Sequence, residues 1–556
     1  MCGIVLTNSE NIDQCMDAIA RRGPDMSDIL CFGDWKLGHT RLSILDVSES
    51  GRQPLISANE RYVLSINGEI FNYKRLKEKL GTRMGHVSDS RVAIEYIAEF
   101  GLREFLINAI GMFAGILIDR KSDAMFAFKD RKGEKPLDYY IHEDSVLFSS
   151  DIYSSLKNSG ISLPIDSRGI VNFLKYRGIT MNNHIFERVR SVPPASVLEI
   201  KRNTVSKIYD FHDISKSEQL PKDTMFHDDF GHILKEYVNV DRSLVIPFSG
   251  GVDSTYVVMQ IMNLGLKPKL FHVDTGGALS ETNQAKKIAA ALGLEIEIVK
   301  VNLSKTFDNI PGELLIADSS LLLSFELFKR ISKSAQVTIS GDGADELFEG
   351  YNKSRVVKKL FPFRYILLFI TFFLKKWTFD RRIHLLASIG KSKSIYEAYD
   401  RIMSNLFEIE PVVKFNSFAA RDRVNFLYPQ VLPKVDRASM YWGVENRSPF
   451  LDDRLIQKYS NKFSNKDILI DFILKNGLNK SIFKSTKKGF SPDVFNFIKL
   501  KKNDIFIAID NIPVVDRDFY KSLLKKDDGI LKRWSSELYT ILIFDKWYAG
   551  QGNSIK

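Results

Sequence analysis

Three short stretches hold residues whose types and spacing could do chemistry. The chain opens MCGIVL, which sets Cys2 directly before Gly3 at the head of an apolar run. A thiol attacks only as its thiolate, so it needs a base nearby. Once Met1 is removed, the α-amino group of Cys2, with an ordinary pKa of about 7.7–8.0, suits that task at neutral pH. The second stretch, LVIPFSGGVDSTYVV, places Ser249-Gly250-Gly251-Val252-Asp253-Ser254 between an apolar strand and a helix. Glycines let the backbone close on a ligand, and free N–H groups at a helix start attract phosphate oxygens. Asp253 alone would repel phosphate, which predicts a Mg²⁺ between them. The third stretch, TISGDGADELFEGY, crowds Asp342, Asp345 and Glu346 behind Ser340-Gly341, again after an apolar strand. Carboxylates packed at a strand end need a cation to offset them, and the spacing is not that of an EF-hand loop.

Such groups act only where a scaffold converges them. From Met1 to about Ile200, apolar runs such as YVLSING, MFAGILI, AMFAFKD and SVLFSS alternate with turns and with helical patterns such as SRVAIEYIAEFG. Strand runs with inserted helices predict a layered α+β domain over 1–200. A polar stretch, 201–223, reads as a connector. Over 224–556, short apolar strands (RSLVIPF, PKLFHVD, LEIEIVKV, AQVTIS) alternate with helical segments, which predicts a parallel, doubly wound α/β sheet. From about 350 onward the pattern is mainly helical.

Composition limits the alternatives. A chain of 556 residues exceeds one ordinary core at roughly 100–200 residues per domain. Its three cysteines are too few and odd in number for a disulfide framework, so reduced thiols are expected. Cys15 and Cys31 read as ordinary packing residues. No early stretch joins a basic head to an apolar core, so a cytoplasmic location is expected. The net charge of +11 is scattered among acidic residues and reads as a solvated surface, without nucleic acid as partner. The longest apolar run, YILLFITFFL over Tyr365–Leu374, is half the length a spanning helix needs and is expected to be buried, with an interfacial helix as the lesser option and no membrane contact expected.

SGGVDS after a strand resembles the pyrophosphate loop of N-type ATP pyrophosphatases, and with Cys2 in view the whole chain resembles the glutamine-hydrolysing asparagine synthetase family. MCGIV, RRGPD, RLSILD, NGEIFN and SDS match its glutamine half; LPKVDRASMYWGVENRSPFLD and KKGFSPD match its late signatures. The resemblance implies an Ntn-hydrolase-like αββα domain followed by an adenine-nucleotide hydrolase-like domain with a helical C-terminal part. It implies Cys2 as nucleophile and Asn67 and Gly68 as oxyanion hole. Arg41 would bind the glutamine α-carboxylate, with Ile44 in the pocket and Asp89 and Glu69 at the α-ammonium. Phe248, Ser249, Gly250, Gly251, Asp253, Ser254, Val273, Ser340 and Gly341 would contact ATP, with Asp253 and Asp345 as Mg²⁺ ligands. Asp342 would act in acyl-adenylate formation and Lys487 at the pentavalent phosphorus, with an apolar tunnel for ammonia between the sites.

The expected partners are L-glutamine, ATP and a carboxylate acceptor, with homodimerisation open. The family's Asp-Glu-Pro-Phe-Ala-Asp stretch reads GELLIADSS here, keeping Asp318 but replacing Glu-Pro with Leu314-Leu315. Aspartate is the leading acceptor and a uronic-acid sugar of bacterial surface polysaccharide the alternative. Cyclisation onto an internal amine is disfavoured because the glutamine pocket is intact. A silent subunit is disfavoured because Cys2, Asp253 and Asp345 are present.

Overall fold

Twelve strands of the first half form two six-stranded antiparallel sheets stacked face to face. The computed structural model describes residues 2–550 except 82–84, 86, 180–183, 202–203, 213–217, 276–280, 313, 315, 349–351, 376–378, 406–416, 461, 464 and 480–492. In spatial order the first sheet runs Val189–Ser191, Asp138–His142, Ser145–Ser149, Gly3–Thr7, Trp35–Arg41, Met26–Phe32. The second runs Thr204–Asp210, Ser196–Lys201, Ala124–Lys129, Gly111–Asp119, Tyr62–Ile70, Leu55–Ile56.

Alternation along each strand decides what meets what. Ile4 and Leu6 face inward to Leu37, Val63 and Ile116 between the sheets. Val5 faces outward to Ile12 and Met16 of the helix Ile12–Ile19. Leu64 and Ile66 face the opposite outer side, against Val92 and Ile97 of the helix Asp89–Phe100. Helices outside two sheets give the expected αββα layering. The same parity puts Cys2, Arg41 and Asn67 on the inner faces, at neighbouring strand ends: Gly3 pairs with Thr40, one step from Cys2 and Arg41.

The strand Thr204–Asp210 pairs with Ser196–Lys201 as an edge of the second sheet, so the first part of the stretch expected as connector is sheet. Its alternation is strand-like, but its outward polar residues gave it a linker's composition.

The second domain holds a five-stranded parallel sheet in the order Ile296–Lys300, Lys269–Asp274, Leu244–Pro247, Val337–Ile339, Glu445–Arg447. Winding reverses between Leu244–Pro247 and Val337–Ile339, and the crevice at the carboxyl ends of strands flanking such a switch is where α/β sheets bind ligands. Helices make up nearly all described structure beyond residue 350.

A second expectation fails. The helix Arg364–Lys375, which carries the long apolar run, lies on the surface, with Tyr365 68% and Phe372 76% exposed. An apolar run shows that water is disfavoured around it, but only the surrounding chain determines whether cover is supplied. Among the described residues no helix is long and apolar enough to cross a membrane.

Candidate active sites

Cys2 is buried at the mouth of the strand Gly3–Thr7, and its main-chain N–H donates to Asn67 Oδ1 at 2.9 Å. That bond orients the Asn67 amide and leaves its Nδ2, also buried, without a hydrogen-bond partner among the described residues. A buried unpaired donor is costly unless a ligand uses it. Next to it Gly68 has φ +140°, and a Cβ there would fall 1.9 Å from the carbonyl oxygen of Met112. Only glycine fits at this step of the strand. Burial pushes the Cys2 thiol above its ordinary range, opposed by the nearby terminal amino charge, a Leu42 N–H bond and Arg41.

A cavity beside the thiol is lined by Cys2, Arg41, Ile44, Gly68, Glu69 and Asp89, so five of the six residues expected to bind glutamine converge, with Asn67 behind them. Asp89 begins its helix behind the cap Ser88, whose side chain accepts from the Arg91 N–H. Its Oδ2 accepts from Ile70 N–H at 2.8 Å, yet burial lifts it to about 6. Burial also raises Glu69 well above the carboxylate range, although Arg447 pulls the other way. Two buried carboxylates facing one cavity suit an ammonium ligand. Arg41 donates to the carbonyls of Ser48 (2.8 Å), Leu45 (3.2 Å) and Asp46 (2.5 Å), fixing the loop over the cavity as well as lining it.

The same cavity has a wall that sequence reasoning missed: Glu445, from the second domain. The short strand Glu445–Arg447 directs Arg447 to Glu445 (2.6 Å) and to Glu69 (3.1 Å). Despite burial, Glu445 is held at about 2 by Arg447. Asn446, on the opposite face, donates to Ser340 Oγ at 3.1 Å, and the Arg447 carbonyl accepts from Ser340 N–H at 2.9 Å. One strand thus contacts both candidate sites. Two family-like stretches also meet here: Arg22 of RRGPD donates to the Cys2 carbonyl (3.2 Å) and pairs with Asp436 (2.9 Å).

At the second site, Ser249-Gly250-Gly251 turns from the strand Leu244–Pro247 into the helix Val252–Asn263. Gly250 has φ +78°, Gly251 N–H donates to Ser249 Oγ (3.2 Å), and the Ser249 and Ser254 hydroxyls lie 3.0 Å apart. Phe248 is fixed to the neighbouring strand through Phe271 and His272, two residues and one residue before Val273. The acidic loop follows Val337–Ile339, with Ser340 Oγ donating to Asp342 at 2.7 Å. The two loops touch, since a Cβ on Gly341 would lie 3.0 Å from that of Asp253. Asp253 and Asp345 converge on one ammonium, Lys466 Nζ, at 2.7 and 2.5 Å. Paired carboxylate oxygens around one cationic centre fit a hard divalent cation. Lys466 itself escaped sequence reasoning because nothing separates it from the other scattered lysines. Lys487 lies outside the described residues.

A double-sheet domain with a cavity at Cys2, joined to a parallel-sheet domain with a phosphate-cradling loop, defines a glutamine-dependent amidotransferase. The chain belongs to the asparagine synthase family: residues 226–549 match that family, and residues 1–212 match the glutamine amidotransferase domain. It is 27% identical to glutamine-hydrolysing asparagine synthetase 1 of Bacillus subtilis (strain 168), over 97% of this chain and 93% of that protein. It is 24% identical to asparagine synthetase 3 of the same strain, over 89% of this chain and 85% of that protein. Amidase chry2 of Gibberella zeae is 26% identical over 62% of this chain and 56% of its own length.

Proposed function

We propose that Cys2 hydrolyses the side-chain amide of glutamine and that the ammonia amidates a carboxylate activated by ATP, releasing AMP and pyrophosphate. The observation that carries the first half is Asn67 Nδ2 beside Cys2, buried and without a hydrogen-bond partner among the described residues. With Met1 removed, the Cys2 α-amine takes the Sγ proton and the thiolate attacks the amide carbon. Asn67 Nδ2 and the Gly68 N–H receive the developing oxyanion. The C–N bond breaks, the amine's proton leaves with ammonia, and water cleaves the thioester to glutamate. Arg41 binds the α-carboxylate, and Asp89 and Glu69 the α-ammonium.

Leu42 and Ile44 of the cavity share one apolar cluster with Phe248, Ile339 and Met440 of the second domain. An apolar passage favours neutral ammonia over ammonium and over water. At the second site an acceptor carboxylate oxygen attacks the α-phosphorus of ATP, and pyrophosphate leaves into the Ser249–Ser254 turn. Lys487 offsets charge on the phosphorus oxygens. Asp253 and Asp345 would hold Mg²⁺, and the ion would supply positive charge for pyrophosphate oxygens there. Ammonia then displaces AMP from the acyl-adenylate, with Asp342, oriented by Ser340, beside the reacting carboxyl.

Aspartate is the leading acceptor, supported by the names of the full-length relatives. The uronic-acid reading rests on the Gly312–Ser320 departure, where buried Leu314 stands in place of the family's glutamate. Pyrophosphate release with glutamine against aspartate and a panel of uronic-acid sugars separates the two. Release with aspartate and appearance of asparagine supports the first reading; release only with a sugar acid overturns it.

A further inference from the structure

The surface helix Arg364–Lys375 bears contiguous large apolar side chains that the described residues leave uncovered. Phe363, just before it, and Tyr365, Ile366, Phe369, Phe372 and Phe373 are each more than half exposed. A narrow opposite face anchors the helix. Thr371 is buried, Leu367 packs against the small cluster around Val357 and Ile389, and Gly390 lets the helix Arg381–Gly390 approach closely, because a Cβ there would lie 2.8 Å from the Leu368 backbone. The helix is thus anchored by one face while its apolar side faces outward. Single exposed apolar residues are ordinary, but a contiguous aromatic patch marks a contact surface.

The charge around the patch identifies the contact. Residues 350–379 include seven Lys or Arg and no Asp or Glu. On the preceding helix, Asn352–Leu360, Arg355, Lys358 and Lys359 are exposed, and Arg364 stacks on Phe361 and Tyr365 at the start of the apolar helix. A second copy of this chain would set these cations against themselves in a two-fold contact, which argues against self-association. Aromatic and aliphatic side chains flanked by Lys and Arg suit the headgroup–acyl boundary of a bilayer with anionic lipids. Twelve residues make a helix of about 18 Å, too short for the roughly 30 Å hydrocarbon core, so it lies in the plane of the surface.

We propose that this helix pair docks the enzyme on anionic phospholipid membranes, by burying the Phe369–Phe373 face while Lys358, Lys359 and Arg364 meet the headgroups. None of these residues is assigned to either candidate catalytic centre, and the surface does not depend on which acceptor is used.

The test is flotation of the full chain with phosphatidylcholine vesicles with and without about one-third phosphatidylglycerol, alongside sedimentation without lipid. The expected result is cofloating with the anionic vesicles only. F369S/F372S and, separately, K358E/K359E should each lower the bound fraction about tenfold, with glutaminase activity unchanged. Failure of the unaltered chain to float, or equal flotation of all three proteins, overturns the proposal. So does a vesicle-independent dimer that F369S/F372S dissociates, which would assign the face to self-association.

Discussion

Arg447 of the parallel-sheet domain lies 3.1 Å from Glu69 of the double-sheet domain, and Glu445, two residues earlier on the same strand, lines the cavity beside Cys2. The cavity proposed to bind glutamine is therefore completed by the domain proposed to use its nitrogen. Ser340 is hydrogen-bonded to the same strand, so the nucleotide loop and the cavity wall share one element.

Replacing Arg447 by Met strands Glu69 and Glu445 as buried carboxylates without their cation. Loss of one partner of a buried ionic cluster costs about 3–5 kcal/mol, so denaturant unfolding should show a drop of that order. The double variant R447M/E69Q should recover part of it. An unchanged midpoint for R447M would mean that the cluster contributes nothing.

Cys2→Ala should abolish glutamine-dependent turnover while turnover with ammonium salts continues. In the proposed mechanism the two centres are chemically separate, and Cys2 acts only in the first. Loss of ammonia-dependent turnover in a folded C2A protein speaks against that separation.

Asn67→Ala removes one oxyanion donor and the acceptor of the Cys2 N–H. Glutaminase kcat should fall about 10²–10³-fold, with a smaller change in KM. A change confined to KM would make Asn67 a binding residue only.

Asp89 has its carboxyl raised to about 6, burial being the main cause. The ammonium of glutamine stabilises the ionised form, so binding expels a proton wherever the free site is protonated. Glutamine affinity should therefore rise as pH rises towards and through about 6 and level off above it. KM for glutamine measured from pH 5 to 8 should show this trend, and D89N should flatten it while raising KM. A wild-type KM independent of pH over that range rules the assignment out.

Asp253→Asn and Asp345→Asn should each cut ATP-dependent pyrophosphate release by about 10²-fold or more, leaving glutaminase activity within about twofold. The two carboxylates converge on Lys466 Nζ, close enough together to share one cation. Glutaminase loss in parallel would place these residues in folding rather than in nucleotide chemistry.

The parts legible from sequence are those in which local chemistry and local backbone agree. Gly250 needs its left-handed φ where the strand Leu244–Pro247 ends, so the SGGVDS turn could be placed on a strand–helix junction before any fold was known. Cys2 and Asn67 were legible as types, and strand parity accounts for their meeting. Glu445 and Arg447 were not, because a three-residue strand of Glu-Asn-Arg has no apolar pattern. The available signal was two opposite charges between the apolar runs YWGV and PFL, since charges placed in a core come paired. The helix Arg364–Lys375 misled in the opposite sense, because burial depends on what the rest of the chain packs over a segment.

Transfer of label from [amide-¹⁵N]glutamine tests the account most directly. With ATP, Mg²⁺ and aspartate or a uronic-acid sugar, the account predicts ¹⁵N in the acceptor's new amide, one AMP and one pyrophosphate per amide formed, and no transfer by C2A. Formation of ADP and phosphate, or glutamine hydrolysis with no label reaching any carboxylate acceptor, would contradict it.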